Sequence, residues 1–286
     1  GKRLMVVGAN DGQLHAFRTG ELGDGGGREM WSFIPPNQLR RLKLIAHASH
    51  PTSLIRQYYV DGPTSAADIW IKNGTPTNIN STTKSKSEWM TLLVTAQGRG
   101  GISTLWSSST SCDSGFSPDY SSTYNNYCGY YAFDVTDTTN TPIFKWRIGG
   151  NAGLSAAHGK YLAQPWSKMA IGRVRLNNVE KWVGLISGGY SGCGRVVGQC
   201  NERGKGFFVI DLKDGSVLWT YNYGVNPQMN YDLVAAPMAV DYDQDGFWDK
   251  VYVGDLGGSI WRFKFCTKEQ DEQPGGCSVS NWTGSK

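Results

Sequence analysis

Apolar residues in this chain come in short runs, some alternating with polar residues and some continuous, and nearly every run stops at Gly, Asn or Asp. That is the pattern of β-strands joined by tight turns. One arrangement recurs. Val6-Val7-Gly8-Ala9-Asn10-Asp11-Gly12-Gln13-Leu14-His15-Ala16-Phe17 reads as strand, glycine, a short turn with its own glycine, then strand. Val251-Tyr252-Val253-Gly254-Asp255-Leu256-Gly257-Gly258-Ser259-Ile260-Trp261-Arg262-Phe263 repeats it. Looser copies run from Leu92-Leu93-Val94-Thr95 to Gly129-Tyr130-Tyr131-Ala132-Phe133-Asp134-Val135, and from Val183-Gly184-Leu185-Ile186 to Gly206-Phe207-Phe208-Val209-Ile210-Asp211-Leu212, each across an insertion.

Three copies are followed by a tryptophan strand, carrying Trp31, Trp146 and Trp219. The unit is therefore strand, turn, strand, turn, Trp strand, and each Trp is expected to pack between neighbouring sheets. Self-similarity of this kind predicts an all-β β-propeller of four-stranded blades modified by loop insertions. A blade takes about 40–45 residues, which leaves room for roughly six at most. A β-sandwich with chance hairpin similarity is the alternative architecture.

Between the strands, Pro35 to Leu42 reads as a short helix, with prolines at its start and leucines at helical spacing. Residues 74–87 read as a polar loop, and residues 104–128 as a Ser/Tyr-rich insertion. The expected organisation is one domain: a propeller over residues 1–265 and a polar C-terminal appendage of the same domain over 266–286.

Composition fits this reading. Aromatics make up 12%, charged residues 18%, and there are 37 glycines among 286 residues, too apolar for a disordered chain. The net charge of +4 is scattered, with its densest group at Arg40, Arg41 and Lys43, so no basic stripe speaks for nucleic acid. No run approaches the ~20 apolar residues of a membrane helix. There is no signal peptide, and the chain opens directly on a strand at Lys2 to Gly8, so it is expected to be a fragment of a longer precursor.

The six cysteines fall into neighbouring pairs, Cys112 with Cys128, Cys193 with Cys200 and Cys266 with Cys277. Each pair brackets a polar loop-like stretch, and none has Cys-x-x-Cys spacing. Disulfides between neighbours, and an oxidising compartment, are expected; buried free thiols are the alternative.

Specific chemistry is concentrated in Asp241-Tyr242-Asp243-Gln244-Asp245-Gly246-Phe247-Trp248-Asp249. Alternate carboxylates on a tightly turning loop aim several oxygens at one point. Gly246 permits the turn, the Phe247 carbonyl is a further candidate ligand, and Asp249 closes the site. This is the hard, oxygen-rich shell that calcium takes, whereas magnesium demands a stricter octahedron with retained waters. The carboxylates repel one another at about 1 kcal/mol per pair at ~4 Å even in water. Position twelve, a bidentate Glu in an EF-hand, is Tyr252 here, and the flanks are strands. Affinity is therefore expected in the range of extracellular modules, about 10⁻⁴–10⁻³ M or somewhat tighter. An acidic turn without an ion is the bland alternative.

The run Ala236-Pro237-Met238-Ala239-Val240 through the aspartate loop to Phe263 closely resembles the C-terminal domain of PilC/PilY proteins, tip and assembly factors of bacterial type IV pili. Val60-Asp61-Gly62-Pro63, Tyr131-Ala132-Phe133-Asp134-Val135-Thr136-Asp137 and the opening hairpin match the same pattern. The resemblance implies a periplasmic, cell-surface or pilus location, with pilins and minor pilins as partners and host or surface ligands as further ones. It implies that calcium at Asp241, Asp243, Asp245 and Asp249 biases pilus extension against retraction and supports twitching motility and adhesion. The Ser/Tyr-rich insertion departs from the family pattern.

Two rival functions share the fold. Quinone-dependent dehydrogenases have similar blade repeats, but often carry a vicinal Cys-Cys pair that this chain lacks. Nor do an acid, a base and a nucleophile converge, so no catalytic activity is expected. Among the four histidines, His15, His47, His50 and His158, the His47-x-x-His50 pair lacks a third ligand nearby in sequence. The glycines from Gly188 to Gly194 lack the Lys-Ser/Thr and helix of a phosphate loop. A generic secreted ligand-binding propeller shares fold, calcium and location with the pilus reading.

Overall fold

The computed structural model describes residues 3–35, 38–39, 42, 58–71, 83–101, 129–148, 156–192 and 202–286. Among these residues, strands assemble into four antiparallel meanders. The first sheet holds β1 (Leu4–Gly8), β2 (Leu14–Arg18) and β3 (Glu29–Phe33). The second holds β4 (Thr64–Trp70), β5 (Trp89–Ala96), β6 (Tyr130–Asp134) and β7 (Ile143–Ile148). The third holds β8 (Ala170–Leu176), β9 (Val179–Ser187), β10 (Gly206–Asp211) and β11 (Val217–Asn222). The fourth holds β12 (Met238–Val240), β13 (Lys250–Gly254), β14 (Ile260–Lys264) and β15 (Thr283–Ser285).

The repeated hairpin of the sequence is the first pair of the three-stranded sheet, β1–β2, and the central pair of the other three, β5–β6, β9–β10 and β13–β14. In the last three sheets a leading strand pairs ahead of it, which completes a four-stranded blade.

Alternation along the strands sets the stacking. In β10, Phe208 and Ile210 join a core shared with the second sheet, while Phe207 and Val209 join a core shared with the fourth. In β5, Leu92 and Val94 face the third sheet and Leu93 faces the first. A strand with sheets on both sides must be apolar at every position, whereas β13 and β14 alternate buried with exposed. The four sheets thus pack face to face in chain order, as blades of a β-propeller do. The tryptophans sit in the seams as the repeat predicts: Trp31 between the first and second sheets, Trp146 between the second and third, Trp219 between the third and fourth. Trp146 Nε1 donates across its seam to the Leu212 carbonyl at 2.8 Å.

Residues 266–286 supply the closing edge of the fourth sheet. β15 pairs with β14, and Trp282 immediately before it is buried against Phe265 and Trp219, the seam position of the other Trp strands. The intervening segment is closed by a Cys266–Cys277 disulfide, as the sequence predicts, and carries a short helix, Lys268–Asp271. Fully buried Asp271 accepts from the backbone N–H groups of Asn178 and Cys277, tying the segment to the β8–β9 turn. Asn177 and Asn178 make that turn with φ of 54° and 59°, the left-handed pair that a two-residue hairpin needs.

Cys112, Cys128, Cys193, Cys200, His47 and His50 lie outside the described residues, as do residues 36, 37, 40 and 41 of the expected helix at 35–42. No helix among the described residues is long and apolar enough to cross a membrane.

Candidate metal centre

Val240 at the end of β12 pairs with Lys250 at the start of β13, so residues 241–249 must reverse the chain between bonded neighbours. They do so through two left-handed residues, Gln244 with φ 60° and Gly246 with φ 89°. The aspartates hold the turn by accepting backbone N–H groups. Asp241 accepts from Asp245 N at 3.1 Å and Gly246 N at 2.7 Å. Asp249 accepts from Tyr242 N at 2.6 Å, and Asp243 accepts from Lys268 N at 3.4 Å.

Asp241, Asp243 and Asp249 each offer a carboxylate oxygen, and these lie within 4.8 Å of one another. Asp249 is 1% exposed, and its Oδ1 has no hydrogen-bond partner. Burial holds the Asp249 carboxyl above the ordinary carboxylate range. The Tyr242 N–H opposes that, and the nearby carboxylates of Asp243 and Asp245 add to it. A buried, unpartnered anionic oxygen facing two more carboxylates is costly unless a cation fills the gap. The residues present therefore fit a hard divalent ion, and all three candidate donors are oxygens, as calcium prefers.

The side chains of the other two residues of the sequence motif, Asp245 and Phe247, make contacts with the third sheet. Asp245 is not one of the three converging carboxylates and forms an ion pair with Arg175 Nε of β8, in the third sheet. The ring of Phe247 is buried, with the guanidiniums of Arg173 and Arg175 each 4.6 Å from its centroid. Arg173 Nε donates to the Gly246 carbonyl at 2.7 Å, and Trp248 N donates to the Arg173 carbonyl at 2.9 Å. Trp248 lies over Gly172, where a Cβ would overlap its indole. The loop of one blade is thus docked on the first strand of the blade before it. Sequence reasoning missed Arg173 and Arg175, because nothing in a motif announces a partner 70 residues upstream.

Comparison with known proteins points one way. The family described as "PilY1 beta-propeller domain" matches residues 122–282, more than half of the chain. The type IV pilus biogenesis factor PilY1 of Pseudomonas aeruginosa is 26% identical over 260 residues, covering 91% of this chain and 17% of that protein. A PilY1 homolog of Xylella fastidiosa is 25% identical over 276 residues, covering 93% of this chain and 14% of that protein. The chain thus spans less than a fifth of the length of these curated relatives. The crystal structure of the Pseudomonas aeruginosa PilY1 C-terminal domain superposes with a TM-score of 0.58 at 22% identity. It covers 98% of this chain and 43% of that one, and this is a likeness of fold.

Proposed function

We propose, from the premise that the chain belongs to the PilY1 β-propeller family, that it is the calcium-binding propeller domain of an extracytoplasmic type IV pilus biogenesis factor. Its relatives are named for pilus biogenesis and not for a catalysed reaction, which favours an assembly role over an enzymatic one. Pilins and minor pilins are the partners this reading implies, with adhesion and twitching motility as its cellular outputs. Calcium at the aspartate loop would bias pilus extension against retraction.

The observation that carries the calcium reading is the buried, unpartnered Oδ1 of Asp249 beside the carboxylates of Asp241 and Asp243. Asp241 and Asp249 also hold the turn, so a bound cation would consolidate the loop and, through the contacts of Gly246 and Trp248 with Arg173, its docking on the neighbouring sheet. When bound, calcium supplies positive charge that offsets carboxylate repulsion. The rival reading as a generic secreted propeller shares all of this and differs only in its partners.

The test is a terbium titration of the chelator-stripped domain, read by luminescence sensitised through Trp248, followed by competition with calcium. Saturable signal displaced by calcium is expected, and Asp243→Ala should weaken it on the order of tenfold by removing one exposed carboxylate ligand. A signal indifferent to that substitution would remove the calcium assignment. If binding holds, the same substitution made in the full-length protein should alter pilus retraction in cells; unchanged retraction would confine the ion to a structural role.

A further inference from the structure

We infer that Arg175 is the built-in counter-cation of the aspartate loop: it holds Asp245 out of the carboxylate cluster and competes with the metal, so that metal binding is coupled to the seam between the third and fourth sheets. This rests on the calcium reading above and adds a residue that no ligand motif contains.

The charge distribution is the first support. Four aspartates lie within nine residues, yet three of them, Asp241, Asp243 and Asp249, have no Lys or Arg within ion-pair distance among the described residues. Asp245 alone has one: one of its oxygens pairs with Arg175, the other accepts from Phe247 N at 2.9 Å, and it is not among the three carboxylates that converge. Arg173 is already engaged by Glu180 at 3.5 Å, and Glu180 also pairs with Lys84. Arg173 meets the loop at the Gly246 carbonyl and the Phe247 ring, and Arg175 is the cation paired with one of its carboxylates.

Burial is the second. The Arg175 side chain is only 4% exposed and that of Asp245 only 9%, so their attraction is weakly screened. Arg175 Nη1 has no hydrogen-bond acceptor, so the guanidinium is held by one carboxylate and the face of Phe247 rather than by a full set of partners. A buried cation in that state is a poor substitute for a divalent ion. It offsets one carboxylate of four, and its charge repels any cation that enters the cluster.

Position is the third. Arg175 belongs to β8, whereas the aspartates belong to the β12–β13 connection. Arg175 also bridges to Cys266, at the start of the disulfide-closed segment. A change in the Arg175–Asp245 pair is therefore felt on two blades and in the C-terminal segment together.

Arg175→Gln removes the charge and keeps a polar donor toward Asp245. In the chelator-stripped domain it should lower the urea midpoint. In the terbium and calcium titrations it should tighten binding by roughly tenfold, as expected when one like charge is removed from the vicinity of a cation site. Adding Asp245→Asn to it should abolish the gain. Unchanged or weaker binding by Arg175→Gln would overturn the proposal and leave Arg175 as a brace. A second measurement needs no substitution. In the wild-type domain, the Arg175 Nε–H should be protected from hydrogen exchange while metal-free and should exchange faster at saturating calcium; protection that calcium leaves unaltered would count equally against competition. If the wild-type domain binds neither ion, the calcium reading itself falls and this inference with it. Normal wild-type binding with an indifferent Arg175→Gln defeats the inference alone.

Discussion

His15 shows how much a single side chain in this protein depends on its neighbours. On β2 its Nδ1 lies 2.8 Å from Glu29 Oε1 and its Nε2 lies 2.9 Å from Asp11 Oδ2. A neutral imidazole has one N–H, so both bonds are donated only by the protonated ring. Desolvation by burial pulls its pKa down, but the hydrogen bonds and charges of Glu29 and Asp11 together raise it above the ordinary histidine value. The sign follows: the stabilisation is fully present below the unfolded pKa and is lost as pH rises through the higher folded value. His15→Gln should therefore cost most stability below about pH 6 and progressively less above the folded pKa. An NMR titration of the His15 ring giving a pKa at or below 6.5 would contradict this. The sequence offered His15 only as a member of a hairpin, because Glu29 joins it across the β2–β3 pairing. The aspartate loop was legible by contrast, since its spacing is itself the chemistry. What spacing could not show is that Asp245 faces Arg175, a partner set by blade packing.

At the scale of elements, the hairpin repeat and its tryptophans were readable because each lies within one contiguous stretch. The fourth Trp strand was not. A disulfide-closed excursion separates Trp282 from β14, and β15 is only three residues long, too short for its pattern to register. The leading strands β4 and β12 also lie apart from their hairpins in sequence, whereas β8 adjoins β9 through a two-residue turn. A further signal was present: Phe207-Phe208-Val209-Ile210 is continuously apolar where Trp261-Arg262-Phe263 alternates, and that difference separates a sheet covered on both faces from one covered on one. β8 makes a specific demand at Gly172, which presents bare backbone to the Trp248 indole so that the loop can lie against it. Gly172→Val should displace Trp248 and lift the loop from the third sheet. We expect about 1–3 kcal/mol of destabilisation in urea unfolding, the usual cost of overpacking a tight contact, together with weaker calcium binding. Full retention of both would mean that the docking of Trp248 is dispensable.

Across the whole molecule, the site lies where two blades meet, so the ion should act on a seam rather than on a loop alone. The third and fourth sheets share one continuous core running from Val174 and Val183 through Phe207 to Phe263 and Trp282, with Phe207 stacked on Phe263 at 4.1 Å between ring centroids. Among the described residues, the first sheet shares its core with the second, a separate cluster around Leu14, Trp31 and Phe133. A ligand that binds the folded state at a hundredfold excess over its Kd stabilises it by about 2.7 kcal/mol, which for a domain of this size raises Tm by about 5 °C. That stabilisation should be unevenly distributed. The loop is anchored by β12 and β13 and docked on β8, so hydrogen exchange on calcium addition should slow most in those strands and in β9. It should change least in β1, β2 and β3, two seams away. Uniform slowing across all four sheets would mean that the propeller opens only as a unit, and the blade-to-blade contact would then have no separate role in transmitting calcium occupancy. Slowing confined to residues 241–249 would mean that the docking contacts of Arg173 and Trp248 transmit nothing. Protection centred on the third and fourth sheets is the outcome that makes a calcium ion a means of setting how firmly two blades are joined.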